Sequence, residues 1–123
     1  MIQTFFKIFY LIVIVIGITP RLWRIKRKAQ TMSPQEKDRL VYKTTNWFGK
    51  KMVRVAGSTV QVNGIENVPK DKPVLVVSNH QSDMDIPVLL GCLNKPIGFV
   101  SKAEIKKFPI VPTWMELMNC VFM

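Results

Sequence analysis

Residues 73–87 read PVLVVSNHQSDMDIP, and this stretch decides the fold. Residues 73–77 form a continuous apolar run rich in valine, which suits a strand covered on both faces of a parallel sheet. The far end opens a helix. Pro87 has no N–H and is tolerated only in a first turn, so the helix N-terminus falls near Asp85 or Ile86. A strand that passes through a short polar loop into a helix is half of a strand–helix–strand unit.

The flanks repeat this pattern. Residues 59–62 read as a strand, and Asn63-Gly64 is a turn dipeptide. Residues 86–93 are apolar and helix-compatible, residues 97–100 form a third strand candidate, and residues 120–123 open a fourth. The expected fold class is α/β: a mostly parallel sheet with covering helices, preceded by an N-terminal hydrophobic helix. Residues 121–123 stop inside an apolar run, so the chain is expected to be the front portion of a longer domain.

Upstream the chain changes character. Residues 1–58 carry 12 basic and 2 acidic side chains, whereas residues 59–123 carry 6 of each, so the front accounts for the whole net charge of +10. Residues 8–18 are apolar on every face. As a helix they rise about 17 Å, against a hydrocarbon core of about 30 Å. Pro20 is expected to interrupt the helix, and Arg21, Arg24, Lys26, Arg27 and Lys28 follow with Trp23 among them. A signal peptide would place its basic residues before the apolar run and a small-residue cleavage site after it; here the large basic cluster comes after the run and no Ala-x-Ala follows. A buried core helix suits the short run but not the adjoining cations. A membrane anchor, crossing the bilayer or dipping into one leaflet, fits best, with Trp23 and the cations among anionic head groups. The positive-inside rule puts residues 21–28, and the chain after them, on the cytoplasmic face of the cell membrane.

Residues 33–56 predict a second helix. Ser33, Pro34 and Glu36 form an N-terminal signature, Leu40, Val41, Thr44, Trp47, Phe48, Met52 and Val55 recur at helical spacing, and Gly57 ends it. Lys43, Lys50, Lys51 and Arg54 make it a basic amphipathic helix, suited to a membrane surface or to packing its apolar face on the domain. The expected organisation is therefore residues 1–32 as anchor and basic juxtamembrane segment, 33–57 as amphipathic helix, and 58–123 as a catalytic domain's N-terminal part.

The chain has a single histidine, His80, in the loop after the valine-rich run. Ligand groups gather at the carboxyl ends of strands in such sheets. A neutral imidazole there can take a proton from a hydroxyl while a carboxylate holds its other nitrogen and stabilises the cation formed. Asp85, five residues on, could supply that carboxylate, or it could cap its own helix. His80 could equally be an ordinary loop histidine. One histidine and two aspartates offer too few strong ligands for a metal site. Cys92 and Cys120 stand 28 positions apart, which fits no zinc ribbon and no disulfide scaffold. Both fit buried structural thiols. Nucleic-acid binding has only the high isoelectric point in its favour, and no recognised motif accompanies it.

Asn79-His80-x-x-x-x-Asp85 resembles the NHx4D signature of the glycerolipid acyltransferases, specifically the 1-acylglycerol-3-phosphate (lysophosphatidate) acyltransferases. Context supports the resemblance: residues 98–104 (GFVSKAE) followed by Phe108-Pro109-Ile110 look like the family's second block, and residues 62–67 (VNGIEN) resemble its Gly-x-Glu-Asn segment. The resemblance implies acyl transfer from acyl-CoA or acyl-carrier protein to lysophosphatidate, giving phosphatidate, in phospholipid biosynthesis. It implies His80 as general base, Asp85 as its orienting carboxylate, Asn79 and Lys102 near the substrate, and no cofactor, metal or nucleic acid. The family's later Glu-Gly-Thr-Arg phosphate-binding block is absent, so this chain alone is expected to be weak or inactive. The alternative is a non-catalytic fragment that binds a membrane surface.

Overall fold

The computed structural model describes residues 2–123. Four α-helices dominate: α1 (Ile2–Lys28), α2 (Pro34–Ala56), α3 (Asp85–Cys92) and α4 (Val111–Leu117). Two short strands, β1 (Val100–Ser101) and β2 (Val121–Phe122), and two 3-10 turns, Ile65–Asn67 and Ala103–Lys107, complete the chain. The structure separates into two compact units, one of Met1–Thr44 with Pro96–Met123 and one of Thr45–Lys95.

Helix α1 runs through Pro20, contrary to the expected interruption. Proline removes one N–H from the helix ladder. Beside it the Thr19 hydroxyl donates to the Val15 carbonyl at 2.8 Å, and tertiary packing holds the following turns. Leu22 and Ile25 are buried in the core of the first unit with Val41 of α2 and Trp114 and Leu117 of α4. Ile18 and Ala29 pack against the same cluster. The opposite face and, apart from the buried Ile14, most of the N-terminal half of α1 stay exposed, including Phe5, Phe6, Phe9, Ile12 and Ile16. At 27 residues the helix is about 40 Å long, against about 30 Å for a hydrocarbon core. It is a helix long and apolar enough to cross a membrane.

Helix α2 begins as its sequence predicts, with the Glu36 N–H donating to Ser33 Oγ at 3.2 Å and Pro34 in the first position. It ends at Gly57, whose φ of 75° is the left-handed conformation glycine adopts freely. Ser58 N–H then reaches the Val53 carbonyl and Gly57 N–H the Arg54 carbonyl, which satisfies two of the terminal carbonyls.

The sheet is smaller than expected. β1 and β2 pair in parallel, with Val100 opposite Val121 and Ser101 opposite Phe122. Residues 59–62 and 73–77 join no ladder among the described residues. A strand exists only where a neighbour takes up its N–H and C=O groups. The run 73–77 is consequently not covered on both faces: Leu75 and Val77 are 91% and 85% exposed. The molecule is helix-rich with a small parallel sheet.

Candidate active site

The second unit builds the site from the helices outward. Gly49 on α2 lies so close to α3 that an added Cβ would stand 2.6 Å from the Pro87 carbonyl oxygen and 2.7 Å from the Gly91 nitrogen. Three residues earlier, Asn46 Nδ2 donates to the Leu90 and Gly91 carbonyls at 2.9 and 3.1 Å. These are carbonyls of the last turn of α3, which has no partners of its own. Backbone contact and a side-chain cap together seat α3, and with it Asp85, its first residue.

Asp85 reaches backward. Its Oδ2 accepts from the Gln81 N–H at 2.7 Å and the Ser82 N–H at 3.1 Å, and lies 2.8 Å from His80 Nδ1. Met84 occupies the cap position of α3, and the Asp85 carboxylate faces the preceding loop. Of the two roles open to Asp85, its carboxylate takes the one toward the loop and does not cap its own helix. Asp85 N–H donates to the Ser82 carbonyl and Met84 N–H to Ser82 Oγ, which close the turn from its other side. The Ser82 and Gln81 amides, with His80 after them, hold the Asp85 carboxyl below its ordinary value of 3.8.

An ionised carboxylate only accepts hydrogen bonds, so the proton of a neutral His80 sits on Nδ1. Nε2 then carries the lone pair. The imidazole side chain is 62% exposed, and a ring so placed can accept a proton from a bound hydroxyl.

The structure thus brings His80 and Asp85 together. Asn79 is exposed beside His80 in the chain. Lys102 belongs to the first unit, exposed at the start of the 3-10 turn Ala103–Lys107. Cys92, half-buried, ends α3. Cys120 Sγ accepts from the Phe99 N–H at 3.3 Å, and burial pushes its thiol up, away from the nucleophilic thiolate. Among the described residues no three metal-ligating side chains gather. The loop amides of Gln81 and Ser82, Asn46 and Gly49 are the parts that sequence reasoning missed. Only Asn46 and Gly49, three apart on one face of a predicted helix, left a trace that could have been followed.

Residues 59–123, more than half the chain, match the family model described as Acyltransferase. The chain belongs to the acyltransferase family. Its matched region contains His80 and Asp85. A probable 1-acyl-sn-glycerol-3-phosphate acyltransferase of Mycoplasma pneumoniae is 34% identical over 93 residues, covering 72% of this chain and 33% of that protein. A chloroplastic 1-acyl-sn-glycerol-3-phosphate acyltransferase of Arabidopsis thaliana is 43% identical over 63 residues, 50% of this chain and 17% of that protein. A lyso-ornithine lipid O-acyltransferase of Pseudomonas aeruginosa is 36% identical over 78 residues, 63% of this chain and 28% of that protein. This acyltransferase-family chain thus aligns with about a third or less of each relative's length. No solved structure matches it.

Proposed function

We propose that this chain carries the catalytic base of an acyltransferase that moves an acyl chain from acyl-CoA or acyl-carrier protein to lysophosphatidate, forming phosphatidate. One observation carries the proposal: His80 Nδ1 lies 2.8 Å from Asp85 Oδ2 on an exposed loop, with the ring's other nitrogen free to act as base. The acceptor hydroxyl gives its proton to Nε2 as its oxygen attacks the thioester carbonyl. The C–O bond forms, the tetrahedral oxyanion collapses, and the C–S bond breaks. The imidazolium returns the proton to the departing thiolate, and Asp85 stabilises the cation in between. Neither cysteine is required as a nucleophile. Asn79 and Lys102 are proposed as substrate contacts, Lys102 through its charge toward phosphate. Residues 58–123 are proposed as part of an α/β glycerolipid acyltransferase domain, with 1–32 as its anchor and 33–57 as a basic amphipathic helix.

The exposed apolar residues of α1 and the basic Arg21, Arg24, Lys26, Arg27 and Lys28 support membrane association, with the domain on the cytoplasmic face. Lys26 Nζ lies 5.8 Å from the Trp23 ring, and Trp23 is exposed. Arg39, Lys43, Trp47, Lys50 and Arg54 are exposed along α2, which suits anionic head groups. The same surfaces favour the second reading, a membrane-binding segment without catalysis. Thiol release from an acyl thioester, dependent on lysophosphatidate in mixed micelles, separates the two. The expected result is slow release that His80→Ala lowers to the uncatalysed background. Release unchanged by His80→Ala refutes the base. Vesicle binding without any release favours the second reading.

A further inference from the structure

Among the described residues, no strand ladder holds the segment that carries His80. Among the described residues, residues 69–79 make no backbone–backbone hydrogen bond. Side chains grip this segment at its two ends. At the exit Asp85 binds His80 and the next two amides. At the entrance Lys95 Nζ donates to the carbonyls of Pro69, Lys70 and Lys72. Lys95 follows Asn94, whose φ of 55° turns the chain beyond the end of α3. Both anchors therefore stand at the ends of one helix, Asp85 at its start and Lys95 just past its finish.

An ammonium has three N–H donors and no acceptor, so three carbonyls use it fully. Bonds from a charged donor are shorter and stronger than neutral ones. The carbonyls belong to a bend that no secondary structure satisfies. Lys95 thus orders a stretch of main chain that its own backbone leaves loose.

We propose that Lys95 is a positioning residue for His80. By clamping residues 69–72 it fixes the near end of an otherwise untethered segment, so that the imidazole stays on the Asp85 carboxylate with its proton on Nδ1. Only the catalytic consequence rests on the function proposed above; the effect on the ring does not. Loss of the clamp lets residues 73–79 wander and the ring leave the carboxylate.

The lone histidine makes the test direct, because every imidazole nitrogen signal is His80's. The full chain, labelled with nitrogen-15 at histidine in detergent micelles, is compared with Lys95→Met, Lys95→Arg and Asp85→Asn. Wild type is expected to show the proton on Nδ1. Lys95→Met is expected to move the signals toward those of Asp85→Asn while helical circular dichroism is unchanged, and Lys95→Arg to restore them. A role in global stability alone would lower the melting temperature and leave the native ring signals in place. Wild-type signals in folded Lys95→Met overturn the proposal. Should Lys95→Met lose its helices, Lys95→Ala, which also removes every donor, decides in the same way. In the acyl-transfer assay Lys95→Met is expected to lower kcat about tenfold to a hundredfold with KM little changed. Ring signals that move while kcat does not would refute His80 as base and leave Lys95 as its positioner.

Discussion

Gly49→Ala tests how tightly the α2–α3 contact seats the site. An added Cβ would lie 2.6 Å from the Pro87 carbonyl oxygen, 2.7 Å from the Gly91 nitrogen and 2.8 Å from Leu90 Cβ. Two of the three are main-chain atoms, so no flexible side chain can yield. Ordinary contact begins near 3.4 Å, so α3 must retreat by about 0.8 Å, an overpacking that costs about 1–3 kcal/mol. The same retreat strains the Asn46 bonds to the Leu90 and Gly91 carbonyls. Alanine regains about 1 kcal/mol of helix propensity over glycine. The net expectation is destabilisation by about 1 kcal/mol, within a range of about 0–2. For a chain of this size that lowers Tm by about 3–6 °C per kcal/mol. Because Asp85 opens α3, a shift near 1 Å also lowers acyl transfer by about a hundredfold. Thermal melts followed by circular dichroism supply the check. A Tm that rises, as helix propensity alone would dictate, refutes the close contact.

Asp85→Asn replaces an acceptor of three bonds with a neutral amide; the proton of His80 is expected to redistribute to Nε2 and acyl transfer to fall toward the uncatalysed background, read by imidazole nitrogen signals and thiol release. The depressed Asp85 value also sets a pH dependence. Its contribution to stability is fully present above the ordinary 3.8 and is lost as pH falls through the lower folded value, so acid melts of wild type are expected to show a decline below about pH 4 that Asp85→Asn lacks. Leu22→Ala empties the most buried position of the first unit, 1% exposed, and is expected to cost about 2–5 kcal/mol in chemical denaturation. Anionic vesicles are expected to capture the chain in a salt-sensitive way, and Arg24→Glu with Arg27→Glu to weaken that capture in a sedimentation assay.

Helix boundaries were legible where one residue type has one physical use. Ser33 with Pro34 marked the start of α2, Gly57 its end, and Pro87 the first turn of α3. The pairing of β1 with β2 fell at or within a residue of the apolar runs 97–100 and 120–123. Residues 59–62 and 73–77 misled because apolar content measures what could be buried, whereas a strand needs a neighbour's backbone. Pro20 misled because the packing of Leu22 and Ile25 outweighs a missing hydrogen bond. At the site, the spacing of His80 and Asp85 was readable, but the direction of the carboxylate was not. It follows from two loop amides that leave no mark in the sequence. Lys95 was invisible for the same reason, since its partners are carbonyls that every residue possesses.

The most direct measurement is a double-mutant cycle on initial rates of thiol release, using wild type, His80→Ala, Asp85→Asn and the pair combined. If Asp85 acts only by holding and stabilising the His80 ring, the double variant is no slower than His80→Ala alone. Losses that multiply as for independent residues, or a His80→Ala rate equal to wild type, contradict the account.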